Sequence, residues 1–209
     1  MKIIVFGATG GTGTFIVEQA LSAGHAVTVF VRNPGKLSLK HPKMTIIQGD
    51  LLNSNQVDNA MVGMDAVVSA VGPTRPFVPG LMEKAAKNII IAMQKTGIRR
   101  LIYSSGTVIR DPLDRPKLTD KLTQALMSLS GREILHDAEI SDHLIRATNF
   151  DWTIVRFPTL LTNGPRTGQY RTGYLGNASI KLSRADGADF ILRELATPKF
   201  IHQAPVVSY

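Results

Sequence analysis

The chain has 209 residues, 44% hydrophobic and 19% charged, which excludes a largely disordered protein and suits one domain, residues 1–209, with a full-sized core. It contains no cysteine, which excludes disulfides, thiol catalysis and thiolate metal sites and fits a reducing cytoplasm. The net charge of +8 is scattered rather than gathered into a basic stripe with interleaved aromatics, so it argues against nucleic acid and suits an anionic cofactor or substrate.

No apolar run reaches membrane-spanning length, and Met1 leads directly into a strand pattern, so neither a membrane span nor a signal peptide is expected. The first stretch, KIIVFGATGGTG, opens with Ile3, Ile4, Val5 and Phe6, an apolar run suited to a strand buried on both faces. Phe15, Ile16 and Val17 with Ala20 and Leu21 then give the spacing of a helix packed on a sheet. Further strands are expected at 26–31, 44–48, 66–71, 101–104 and 152–157, with a last one inside 200–207. Helices are expected at 54–61 behind an Asn53 or Ser54 cap, at 81–96 ended by Gly97, at 119–129, at 132–148 and at 184–196. Residues 107–116 read as a polar, turn-rich segment, and 158–172, with two prolines and two glycines, as a loop. Strands alternating with helices over the first hundred residues predict an α/β, Rossmann-like fold. Its doubly wound parallel sheet would carry substrate loops at the carboxyl ends of the strands.

Glycines at 7, 10, 11 and 13 fall between the first strand and the first helix. Gly7 permits a tight turn, Gly10 lets backbone approach a phosphate, and Gly13 lets the helix lie close to the strand. Thr9, Gly11 and Thr12 complete a turn whose free N–H groups can hold a pyrophosphate. The spacing is G-x-x-G-x-x-G, since Thr9 stands where the G-x-G-x-x-G form has its second glycine. The bland alternative is a plain glycine-rich turn. The second strand ends at Arg32, with Lys36 four residues on and no acid nearby, which favours a ribose 2′-phosphate over a 2′-hydroxyl. Both residues would otherwise be solvated turn charges.

GATGGTG, VTVFVRN, QGDLL, DAVVSAVG, NIIIAMQKTGIRRLIYSSG and DWTIVRFP together resemble the atypical, NAD(P)-binding branch of the short-chain dehydrogenase/reductase superfamily. Within that branch they resemble the NmrA-like group, and most closely the biliverdin-IXβ reductase/flavin reductase family. The resemblance implies NADP(H) as cofactor, with Arg32 and Lys36 at the 2′-phosphate and Asp50 and Leu51 at the adenine. It also implies Ala70, Val71 and Gly72 under the ribose and phosphates, Ser104 and Ser105 beside the nicotinamide, and Phe157, Pro158 and Thr159 lining the nicotinamide side. Ser105 falls at the family's active-site serine. Asp50 has a structural alternative as a turn cap, and the serine pair as a strand-end satisfier of backbone. One departure is that Phe157-Pro158-Thr159 stands where mammalian members have a Pro-Pro-His run, so no proton-donor histidine transfers.

The Tyr–Lys pair of ordinary short-chain dehydrogenases is missing. Tyr103, Tyr170 and Tyr174 are followed four residues later by Thr107, Tyr174 and Ala178, and Tyr209 is last. His136, Glu139, Asp142 and His143 share a helix face, which reads as a solvated polar face opposite Ile134, Leu135, Ile140, Leu144 and Ile145 rather than as a metal site. Arg75, Arg166 and Arg171 lie in loops where they could receive propionates or a flavin phosphate, or be plain surface charges. These readings converge on an NADPH-dependent reductase of a flat conjugated acceptor, whether flavin, biliverdin-type tetrapyrrole or quinone. The alternative is a non-catalytic, NADP(H)-sensing regulator with a protein partner.

Overall fold

The computed structural model describes residues 1–74, 76–118, 122, 125 and 131–209. Ten strands are described: β1 (Lys2–Phe6), β2 (Ala26–Val31), β3 (Met44–Gln48), β4 (Ala66–Ser69), β5 (Arg100–Gly106), β6 (Asp151–Phe157), β7 (Leu160–Thr162), β8 (Arg171–Gly173), β9 (Lys181–Ser183) and β10 (Val206–Ser208). The helices are α1 (Gly11–Ser22), α2 (Ser54–Met61), α3 (Leu81–Thr96), α4 (Arg132–Arg146) and α5 (Arg184–Ala196). Eight strands form one sheet in the order β3-β2-β1-β4-β5-β6-β10-β8. It is parallel except where β8 runs antiparallel to β10. This is the expected doubly wound architecture, and the order reverses between β1 and β4, which opens a crevice at the carboxyl ends of those strands.

The two-residue period of the strands sorts side chains between two cores. Ile3, Val5 and Val29 pack with Ile16 and Val17 of α1 and with Ala188 and Ile191 of α5. Ile4, Phe6 and Val67 face the other way, against Met61 of α2, Ile89 and Met93 of α3 and Ile145 of α4. Burial on both sheet faces is why these strands read as unbroken apolar runs.

Besides the unexpected short strand β9 and the last strand, which ends at Ser208 rather than within 200–207, the structure departs from the expectations in four places. First, β4 stops at Ser69 rather than at 71: Gly7 turns away at φ 77, so β1 offers a last acceptor only to the Ala70 N–H. Second, β5 extends to Gly106, because β6 supplies partners up to Phe157. Third, the expected loop 158–172 contains β7, paired in parallel with β9, and the start of β8, paired with β10. Fourth, the buried face of α4 carries Asp137, Ser141 and Asp142 beside Ile145, while His136, Glu139 and His143 are exposed. Asp142 is therefore not on a solvated face. The expected helix at 119–129 lies outside the described residues, apart from isolated positions.

Buried polar groups on α4 are tolerated because each has work in the packing. The N-cap of α3, Gly80, offers no side chain, and the Asp137 carboxylate accepts from the N–H groups of Met82 at 3.1 Å and Glu83 at 2.8 Å. Asp142 takes the Arg146 guanidinium at 2.5 Å, and Arg146 reaches on to Asp111 at 2.9 Å and stacks over Trp152. Burial still outweighs the arginine at Asp142 and holds its carboxyl above the usual range.

Candidate active site at the carboxyl edge of the sheet

Two joined cavities occupy the crevice. The first, about 400 Å³, lies over the glycine turn and is lined by Gly7 through Thr12, by Arg32 after β2, by Asp50 and Leu51 after β3, and by Ala70 through Thr74 after β4. The second, about 500 Å³, lies over the ends of β5 and β6 and is lined by Tyr103, Ser104, Ser105, Phe157 and Pro158. Its apolar walls come from Val108, Ile109, Ile134, Leu135 and Leu161. Thr12, Ala70, Val71, Gly72, Pro73 and Leu161 border both.

The turn is shaped for an anion. A Cβ on Gly13 would come within 2.1 Å of the Gly7 carbonyl, so only glycine lets α1 start this close to β1. No side chain caps α1 and no acid stands in its first turn, which leaves the positive end of its dipole facing the cavity. A Cβ on Gly10 would meet only the Gly7 carbonyl, at 3.1 Å, and one on Gly72 would meet nothing within 4 Å. These features fit the diphosphate of a dinucleotide.

Most sequence-predicted site residues come together here, but Gly13, Lys36 and Thr159 line neither cavity. Arg32 borders the first cavity, whereas Lys36 sits on the 3-10 turn Pro34–Lys36 and is not among the lining residues. Phe157 and Pro158 line the second cavity, but the exposed Thr159 lines neither. Asp50 borders the first cavity and also serves the turn, since one of its carboxylate oxygens accepts from the Leu52 N–H at 3.0 Å. Ser104 is half-buried in a wall of the second cavity, and its buried hydroxyl oxygen has no hydrogen-bond partner among the described residues. Arg166 is held by Asp189 at 2.5 Å, and Arg75 lies outside the described residues. Among the described residues no group of His, Asp or Glu could hold a metal.

Burial pushes the Tyr103 phenol up to about 12, more than a hydrogen bond with Ser141 lowers it. The one tyrosine in the second cavity therefore stays neutral near pH 7. Besides it, no ionisable side chain lines that cavity among the described residues.

Residues 7–198 match a protein-family model described as NAD(P)H-binding. The chain belongs to this NAD(P)H-binding family. It is 28% identical to the photosystem II assembly factor Ycf39 of Synechocystis sp., over 86% of this chain and 51% of that protein, so it spans about half of that relative's length. Among solved structures it is similar to a short-chain dehydrogenase/reductase of Veillonella parvula in complex with NADP. The TM-score is 0.76 and identity 19%, with 100% of this chain and 94% of that one covered. It is also similar to the anaerobilin reductase ChuY of Escherichia coli O157:H7, with a TM-score of 0.80 and 18% identity over 100% of this chain and 97% of that one. At these identities the two structures speak for the fold.

Sequence reading missed the buried contacts that brace the second cavity's wall. Arg156, fully buried, donates to the Ala204 carbonyl at 2.7 Å, to the Ile109 carbonyl at 3.1 Å and to both carboxylate oxygens of Asp114 at 2.7 and 2.8 Å. Burial works to raise the Asp114 carboxyl, but Arg156 and the N–H groups of Asp111 and Leu175 outweigh it and hold it below the usual range. Arg156 thus fastens 109–114 against the sheet beside Phe157. The DWTIVRFP segment contained this arginine, but in an apolar strand nothing local says which buried acid it meets. Arg184, at the first turn of α5, borders the first cavity and was likewise missed, because the glycine turn it faces lies far away in sequence.

Proposed function

We propose that residues 1–209 act as one dinucleotide-binding domain that passes hydride from NADPH to a flat conjugated acceptor: a flavin, a biliverdin-type tetrapyrrole or a quinone. The observation that carries this reading is the joining of the two cavities at Thr12, Ala70–Pro73 and Leu161, one anion-shaped and one apolar. Bound with its diphosphate on the glycine turn, the reduced nicotinamide would supply the hydride at that junction. Arg32 would take the 2′-phosphate, with Lys36 reaching in from the adjacent turn, and Asp50 the adenine amine. The unpartnered Ser104 hydroxyl and Ser105 would orient the nicotinamide and the acceptor. The apolar walls would stack the acceptor and exclude water.

Such acceptors spread the developing charge over a conjugated system, so solvent can deliver the proton. That is consistent with the missing Tyr–Lys pair and with a Tyr103 phenol too weakly acidic to replace it. The biliverdin-IXβ reductase/flavin reductase likeness in the sequence and the fold shared with ChuY support this acceptor class, and the Veillonella parvula complex supports NADP as the cofactor form. The absence of cysteine supports a reducing compartment such as the cytoplasm.

The test is NADPH oxidation, followed at the nicotinamide absorbance, against FMN, riboflavin, biliverdin and a soluble quinone. Turnover with one or more is expected. Tight NADPH binding without turnover of any would favour the second reading, a non-catalytic NADP(H) sensor of the NmrA-like kind. The missing Tyr–Lys pair and the likeness to an assembly factor speak for it.

A further inference from the structure

Arg184 is a cation in an electrostatically unfavourable place. It occupies the first turn of α5, behind the Ser183 N-cap, where the helix dipole is positive. The nearest acid on that turn does not neutralise it. Asp186 is spent on the N–H groups of Thr167 and Gly168 and on the hydroxyls of Thr167 and Tyr209. Arg166 and Arg193 nearby both pair with Asp189, whereas Arg184 donates through Nη1 to two uncharged oxygens, the Leu161 carbonyl at 3.1 Å and Asn163 Oδ1 at 2.8 Å. Among the described residues no carboxylate pairs with it.

Those two contacts aim the rest of the guanidinium at the glycine turn. A Cβ on Gly11 would come within 2.8 Å of Arg184 Nε, and Arg184 borders the cavity over that turn. The aim is braced from below, since the Gln19 amide of α1 donates to the Ala185 carbonyl at 2.8 Å. An arginine fork with no carboxylate partner among the described residues, fixed across an uncapped helix start, has the geometry of a phosphate ligand.

We propose that Arg184 binds the cofactor's diphosphate from the side opposite the glycine turn and, through the Leu161 carbonyl, ties that anion to the wall of the acceptor cavity. The inference rests on the NADPH reading above and adds a residue and a coupling to it. Leu161 lines both cavities, so filling the first would steady the second, and cofactor would bind before acceptor.

The experiment compares NADPH, which has a diphosphate, with 2′-AMP, which has the 2′-phosphate alone, by calorimetric titration. Arg184→Gln is expected to weaken NADPH about tenfold or more and leave 2′-AMP unchanged, whereas Arg32→Gln should weaken both. Arg184→Lys, which keeps the charge without the planar fork, should fall between Gln and wild type for NADPH, and it carries the test if the Gln variant does not fold. Unchanged NADPH affinity in the Arg184 variants would overturn the proposal, as would an equal loss for 2′-AMP, the mark of a general disturbance. A wild-type chain that binds neither ligand would instead overturn the cofactor reading itself.

Discussion

The half of the molecule before β5 and the half after it solve the same problem by different means. In the first half, position comes from backbone shape and apolar periodicity. Gly7 turns at φ 77, the Gly7 carbonyl leaves no room for a Cβ at Gly13, and alternate strand residues serve opposite cores. In the second half, short segments are pinned by buried charge: Arg156 on Asp114, Arg146 on Asp111 and Asp142, Arg100 on Glu194, and Asp186 on the 167–168 backbone. The first device builds a cradle that any dinucleotide-binding sheet requires. The second fastens the segment 109–114, part of the apolar cavity's wall, through Arg156–Asp114 and Arg146–Asp111, where no repeating pattern would hold it.

If that division is right, the largest effect comes from cutting a pin. Arg156→Ala leaves Asp114 buried without its cation and should cost about 3–5 kcal/mol, read as a lower urea midpoint. A loss under about 1 kcal/mol would mean the loop is held by its apolar contacts instead. The same pin sets an acid dependence. The folded Asp114 carboxyl lies below its ordinary value, so its stabilisation is fully present above about pH 4 and is lost as pH falls through the lowered folded value. Stability of Asp114→Asn should therefore depend less on pH below 4 than that of wild type. Parallel curves would remove Asp114 from the account.

The cradle should respond in the opposite way, losing ligand and keeping fold. In Gly10→Val the new Cβ meets only the Gly7 carbonyl, at 3.1 Å, while its methyls enter the diphosphate space. NADPH affinity should drop by roughly 10- to 100-fold, the scale of 1–3 kcal/mol of overpacking, with a nearly unchanged melting curve. Retained affinity in the folded variant would put the phosphates elsewhere. Changing Arg32 and Lys36 together to Ala should remove a preference for NADPH over NADH of about tenfold. Since only Arg32 borders the cavity, Arg32→Ala alone is expected to remove most of it. Equal contributions would mean that the Pro34–Lys36 turn moves inward on binding.

The same contrast explains what the sequence made legible. Elements β1 to β5, α1 to α3 and the glycine turn could be read because their signals are local: a β-branched run, a helical period, an Asn53 cap, a Gly97 stop. The second half yielded its long elements, β6, α4 and α5, but not the short strands β7, β8 and β9. Each of these is three residues long and is specified by a partner elsewhere along the chain, β9 for β7, β10 for β8 and β7 for β9. The face of α4 was misread for a related reason. An acid at 137 or 142 looks solvated until the orphan N–H groups of α3 or the Arg146 fork are seen against it. Candidate site residues divided likewise: Arg32, just after β2, and Ser105, near the end of β5, could be anticipated, while Arg156 and Arg184 act across the fold.

The smallest effect tests whether the acceptor wall needs any fixed acid. Ser105 stands at the junction of the two regions, on the last turn of the pleat before Gly106, in the wall of the apolar cavity. If its hydroxyl only orients the nicotinamide or the acceptor, Ser105→Ala removes one hydrogen bond, about 1–1.5 kcal/mol, and slows turnover by on the order of tenfold. Transfer of deuterium from the labelled nicotinamide to product, with slower turnover where chemistry limits, should persist in the variant, because hydride passage does not pass through the serine. A fall of several orders of magnitude would make Ser105 an essential proton donor. The neutral Tyr103 and the solvent would then be insufficient proton sources, and the delocalised-acceptor argument would fail. A tenfold loss with transfer intact would leave positioning as the serine's whole task, as expected where a wall of Val108, Ile109 and Leu161 aligns a flat acceptor and contributes no charge.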